Sequence, residues 1–196
     1  MKIILASKSP RRKELLKLAG ISDFTVSPAV GEETADPSLS AADAIKLIAL
    51  CKAREVAARF EKDDLIIAAD TLVYLDGTPL GKPKDAADAH RMLRALSGRP
   101  HTVRTGVAVI RGSRELSACE ETEVFFRELT DTEIDEYIAS GEPMDKAGAY
   151  GIQGGASRFI PKITGDYSNV VGLPVCRTSL MINELIRGDG IEQNVN

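Results

Sequence analysis

The chain has 196 residues, 43% of them apolar and 28% charged, with a net charge of −4 and a pI near 5.3. That length suffices for one generous domain with a real core and room for a cleft. The acidic balance excludes a general nucleic-acid or membrane-surface binder, because such proteins need a positive field. Three scattered cysteines, Cys51, Cys119 and Cys176, have no C-x-x-C spacing, which argues against a disulfide framework or a thiolate zinc site and makes a reducing cytoplasm the simplest compartment.

In chain order, Ile3-Ile4-Leu5-Ala6 reads as a short core strand, too brief for a signal peptide or a membrane span. Ser9 is an N-cap and Pro10 suits the first helical position, so a helix begins there and runs to a stop at Gly20. Phe24–Pro28 alternates like a second strand, 31–37 reads as an acidic loop, and Ser40 caps a helix to about Phe60. Leu65–Ala69 reads as a strand buried on both faces that ends at Asp70-Thr71, with Leu72–Leu75 continuing as strand and Asp76-Gly77 as a hairpin turn. Gly81-Lys82-Pro83 is the next loop, and Asp85–Leu96 a helix ended by Ser97-Gly98. His101–Ile110 and Glu121–Arg127 read as two strands around Gly112, and Thr130 caps Asp131–Ser140 with Glu133 completing a capping box. A glycine-rich loop over 145–155, a strand over Phe159–Ile163, a loop over Asp166–Pro174 and a helix to Ile186 complete the pattern, with a frayed tail from Gly188. No linker cuts the chain, so 1–187 reads as one domain followed by a tail over 188–196. The fold class is α/β, with a mixed, twisted central sheet flanked by helices.

Three cations, Arg11, Arg12 and Lys13, occupy the first turn of a helix whose N-terminus is already positive. Each costs roughly 0.3–1 kcal/mol there unless an anion is bound, and phosphate on backbone N–H groups and arginine forks is the natural anion. A solvated basic turn is the plainer alternative. Asp70, beside a buried strand, can bind a divalent cation or take a proton from water, or it is an ordinary turn aspartate. Glu32 and Glu33 add carboxylates, or a solvated acidic loop; Lys52 and Lys82 add cations, Lys82 with a held backbone or as a solvent lysine. Oxygen ligands without clustered histidines favour Mg²⁺ or Mn²⁺ over zinc. His90 and His101 read as structural, while Tyr150 and Tyr167 are core or cleft walls. No P-loop or dinucleotide fingerprint is present. These residues together indicate a polyanion site beside oxygen ligands for a cation, which nucleoside phosphate chemistry would satisfy.

The stretches Ser7-Lys8-Ser9-Pro10-Arg11-Arg12, Ala69-Asp70-Thr71, Gly81-Lys82-Pro83, Leu96-Ser97-Gly98, Asp145-Lys146-Ala147-Gly148-Ala149-Tyr150-Gly151-Ile152-Gln153-Gly154 and Val171-Gly172-Leu173-Pro174 resemble, in order and spacing, the Maf family of nucleoside triphosphate pyrophosphatases. The resemblance runs from Ile3 to about Ile186. It implies an elongated fold with a deep cleft, similar to inosine triphosphate pyrophosphatases, and metal-dependent cleavage between the α and β phosphates. Arg11, Asp70-Thr71 and the Lys146–Tyr150 stretch with Gln153 match the dTTP/UTP branch rather than the 7-methyl-GTP branch. Carried over by position, the resemblance implies Asp70 as proton acceptor; Lys82 reads as a second catalytic residue that, with Arg12 and Lys52, holds the triphosphate. Beside these, Ser9, Arg11, Arg12, Lys52, Thr71, Lys146 and Gln153 read as candidate substrate contacts, and Glu33 with Asp70 as candidate ligands of Mg²⁺ or Mn²⁺. Arg12, Thr71 and Gln153 are the positions linked to substrate choice. The implied partner is a nucleoside triphosphate in the cytoplasm, with no nucleic acid and no membrane. A homodimer, 7-methyl-GTP specificity and a nucleotide-sensing role in cell division stay open. Cys51 departs from the charge many members carry there, and the tail beyond Ile186 has no counterpart.

Overall fold

In the computed structural model, which describes residues 1–31 and 38–187, local capping chemistry sets most element boundaries. The elements are β1 (Ile3–Leu5), α1 (Pro10–Leu18), β2 (Thr25–Val26), α2 (Ala41–Ala57), β3 (Leu65–Leu75), β4 (Thr78–Leu80), α3 (Ala86–Leu96), β5 (Pro100–Arg111), β6 (Arg114–Phe125), α4 (Asp131–Ala139), β7 (Lys162–Thr164), α5 (Tyr167–Val171) and α6 (Val175–Arg187). Three short 3-10 turns, Glu142–Asp145, Ala147–Ala149 and Gly155–Phe159, fill the glycine-rich region. Ser9, Ser40, Asp85 and Thr130 each accept a backbone N–H three residues on, and Thr130 with Glu133 forms the expected capping box. Asp76 and Gly77 both have positive φ, 50° and 78°, the backbone a tight two-residue hairpin between β3 and β4 requires. The acidic loop expected from Glu32 to Pro37 and the tail from Gly188 lie outside the described residues.

Several expectations are corrected. β3 does not end at Asp70 but runs on to Leu75, because the carboxylate finds a cationic partner and the backbone can stay in the ladder. β2 shrinks to two exposed residues, and α2 stops at Ala57. β6 begins at Arg114, well before Glu121; the two-residue turn at Gly112-Ser113 sets it beside β5, and none of its first six residues is buried. Phe159 closes a 3-10 turn rather than opening a strand, and β7 starts only after Pro161, which has no N–H for a ladder. The stretch expected as a loop after Asp166 contains α5, its first turn anchored by the Asp166 carboxylate accepting from the Ser168 amide at 2.7 Å.

The strands form one mixed sheet in the order β2-β1-β3-β5-β6-β7, with β4 paired to β3; β1 is parallel to both its neighbours and β3–β4 and β6–β7 are antiparallel. The chain groups into two compact units, one taking in residues 1–70, 105–120 and the chain from 172, the other 71–104 and 121–171. In the first, Ala49, Ala53 and Val56 of α2 lie one turn apart and pack with Ile4 of β1, Ile66 and Ala68 of β3, and Ala108 and Ile110 of β5. The α2 backbone comes so near β5 that a Cβ on Gly106 would fall 2.2 Å from the Ile45 carbonyl oxygen, so only glycine fits. In the second, Leu93 and Leu96 of α3, Val103, Val124, Ile134 and Tyr137 of α4, Tyr150 and Phe159 share a core. Among the described residues no helix is long and apolar enough to cross a membrane, and Cys51, Cys119 and Cys176 form no disulfide.

Candidate functional site

In the first unit the parallel register that sets Ile3 opposite Leu65 and Leu5 opposite Ile67 continues with the Ala6 amide donating to the Ile67 carbonyl. The Ser7–Ser9 turn therefore leaves β1 at the level where β3 reaches Ala69 and Asp70. Ser7 is buried; its Oγ accepts from the Ser9 amide at 3.2 Å and from an Arg12 terminal nitrogen at 3.3 Å. Arg12 Nε donates to the Gly172 carbonyl at 2.7 Å, so the guanidinium of the first helical turn is held from two sides. Arg11 and Lys13 share that turn, which carries no acidic residue. The expected concentration of positive charge at a helix N-terminus is thus present, with at least one arginine fixed in place.

Asp70 lies mid-strand and buried, and α2 lays Lys52 across it: Nζ donates to Asp70 Oδ1 at 2.5 Å, with side-chain exposures of 15% and 11%. Apolar positions 49, 53 and 56 dock the helix, and that docking turns Lys52 toward β3. Such a pair costs desolvation and adds little stability. What it offers is a carboxylate and a cation in fixed geometry, able to accept a proton and to draw in an anion.

In the second unit Thr71 follows in β3, half-buried. Lys82 is exposed in the Gly81–Pro83 loop, and the Gly148 amide donates to the Gly81 carbonyl at 3.0 Å, tying that loop to the glycine-rich one. Lys146 Nζ donates to the Glu142 carbonyl at 2.6 Å and to Asp145 Oδ1 at 2.8 Å. Gln153 is exposed in the turn before Gly154. Two clusters here were not legible in the sequence. Tyr137 Oη donates to Glu142 Oε1 at 2.8 Å and accepts from the Gly151 amide, and burial pushes the Tyr137 phenol up. His101 Nε2 meets Tyr150 Oη at 2.8 Å beside the Phe126 ring; burial pushes His101 down to about 4 and the Tyr150 phenol up. No spacing in the sequence pairs Tyr137 with Glu142 or His101 with Tyr150; the fold alone brings each pair together. His101 and Tyr150 are core groups, Tyr167 is half exposed, and His90 lies at 3.4 Å from Asp131 on the surface.

Ser9 with Arg12, and Lys52 with Asp70, are thus brought together within one unit, and Lys146 with the Lys82 loop are linked within the other; Glu33 lies outside the described residues. Among the described residues no group of three or more His, Cys, Asp or Glu side chains could by itself hold a metal ion. Asp70, whose Oδ1 accepts from Lys52, could offer one carboxylate to a Mg²⁺ or Mn²⁺ ion held mainly by phosphate oxygens and water.

The Maf-like protein profile matches residues 2–185. A protein from Symbiobacterium thermophilum named dTTP/UTP pyrophosphatase is 50% identical over 93% of this chain and 93% of its own. One of the same name from Bacillus cytotoxicus is 50% identical over 96% of each. Among solved structures, a HAM1 protein from Coxiella burnetii superposes with a TM-score of 0.53 at 16% identity, covering 94% of this chain and 99% of that one, a likeness of fold that agrees with the mixed α/β architecture. With the profile spanning nearly the whole chain and half of all residues shared with these relatives, the chain belongs to the Maf-like protein family.

Proposed function

We propose that the protein hydrolyses dTTP and UTP to the nucleoside monophosphate and pyrophosphate. The names of the relatives at 50% identity support the substrate class. The observation that carries the chemistry is the buried Lys52–Asp70 pair. Asp70 takes a proton from the water that attacks the α-phosphorus, and the bond from that phosphorus to the bridging oxygen breaks as pyrophosphate leaves. Arg12, Lys52 and Lys82 neutralise charge growing on the leaving group, while Ser9, Arg11 and Lys146 contact phosphates. Thr71 and Gln153 set the base preference; a glutamine amide can donate to a carbonyl and accept from the N3–H of uracil or thymine. Asp70 and Glu33 would hold a divalent cation, which would supply charge neutralisation on the triphosphate. The same reading takes 1–187 as one working domain acting in the cytoplasm.

The test is product analysis after incubation with each nucleoside triphosphate, with and without Mg²⁺ or Mn²⁺. Metal-dependent dTMP and UMP with pyrophosphate is the expected result. Diphosphate plus phosphate, or 7-methyl-GTP as the preferred substrate, overturns it, and binding without turnover moves the weight to a nucleotide sensor.

A further inference from the structure

Gln153 lies in an exposed turn among glycines, yet the backbone on both sides of it is held by one pair of side chains. The Gly151 amide donates to Tyr137 Oη at 3.1 Å, and the Gly155 amide donates to Glu142 Oε2 at 2.9 Å. The two partners are themselves joined, Tyr137 Oη donating to Glu142 Oε1 at 2.8 Å. These amides bracket Gln153 two residues before and two after. The carboxylate is wedged against the intervening chain: a Cβ on Gly154 would fall 2.0 Å from Glu142 Oε1. Tyr137 is buried in α4 with its ring edge-on to Phe159, centroids 5.5 Å apart, so the anchor belongs to the core.

We infer that Tyr137 and Glu142 are positioning residues that fix the backbone around Gln153 and through it the choice of pyrimidine base. The inference rests on reading Gln153 as the base contact. A glycine-rich turn left to itself would lose its conformational freedom on binding, whereas a turn already bonded at both flanks meets the base with that cost removed. A purely structural clamp would show itself differently. The Gly155 amide is exposed, so water replaces its acceptor when Glu142 is truncated; little stability is lost, and what is lost is the geometry of the turn.

The experiment measures kcat and KM for dTTP and dCTP with the full-length protein, Tyr137→Phe, Glu142→Gln and Glu142→Ala, together with hydrogen exchange at the Gly151 and Gly155 amides. Glu142→Ala is expected to raise KM for dTTP and cut the preference for dTTP over dCTP by about tenfold, with kcat at saturation changed far less. Glu142→Gln keeps an acceptor for the Gly155 amide while its NH₂ faces Tyr137 Oη, and restores most of the preference. Both amides exchange faster in Glu142→Ala. A folded Glu142→Ala or Tyr137→Phe with unchanged KM and unchanged preference overturns the inference; if Glu142→Ala does not fold, Tyr137→Phe, which removes one oxygen, decides it. A wild-type protein without dTTP hydrolysis defeats the proposed activity, and the exchange rates then decide the positioning alone: unchanged exchange overturns it.

Discussion

In the unit that carries α2 and the first half of β3, Lys52 and Asp70 form an ion pair almost out of water. In the unit that carries α3 and α4, burial holds the enclosed titratable side chains toward neutrality: His101 is pushed down to about 4, and the phenols of Tyr137 and Tyr150 are pushed up. A charge pair kept inside a strand adds little to stability that well-packed apolar side chains would not add as well. Neutral groups joined by hydrogen bonds do rigidify a core. On the proposed function, the first unit accepts an electrostatic cost where the reaction needs charge, while the second uses hydrogen-bonded neutral groups in and beside its core.

The largest effect is expected at Lys52. Lys52→Met leaves Asp70 buried without its cation and should lower stability by about 3 kcal/mol, the low end of the range because both side chains keep some exposure. If the pair serves chemistry, the double variant Lys52→Met, Asp70→Asn regains most of that stability in urea melts while dTTP hydrolysis stays lost. Recovery of both would show that the pair is structural. Next in size is a backbone effect within the same unit: Gly106→Ala drives a methyl into the Ile45 carbonyl and should cost about 2–3 kcal/mol by thermal unfolding.

In the second unit the titrating group is His101. Its folded value near 4 lies below the usual 6.5, so the unfolded chain binds more protons between those values. The contribution is therefore complete above pH 6.5 and is lost as pH falls toward 4, at most about 3 kcal/mol in all. Urea unfolding at pH 7, 5.5 and 4.5 should show a steeper loss for the wild type than for His101→Gln. The smallest effect is at the start of α4, where Thr130→Ala removes one half of the capping box and should cost about 1 kcal/mol with kcat unchanged.

What could be read from the sequence was what is decided within a few residues. Ser9, Ser40 and Thr130 cap helices because their oxygens reach an amide three residues on, and Asp76-Gly77 turns because both can hold positive φ. What could not be read depends on partners distant along the chain. Asp70 looked like the end of a strand because a carboxylate is a poor strand-interior residue without a cation, and its cation comes from α2. Arg12 looked like a phosphate ligand, and its hold on the Gly172 carbonyl spans nearly the whole chain. Lys146 reads as a substrate contact, and the fold also sets its ammonium on the Glu142 carbonyl and Asp145, a packing outcome no spacing announces. The order of the family motifs carried the reading of function further than local chemistry could.

The most direct test is single-turnover hydrolysis of dTTP by the wild type and Asp70→Asn, with nucleotide binding measured alongside. The variant should bind dTTP and stay folded, yet release dTMP and pyrophosphate about 10²–10⁴-fold more slowly. Asp70→Asn protein that turns over bound dTTP at the wild-type rate would contradict the assignment of the Lys52–Asp70 pair as the reacting centre.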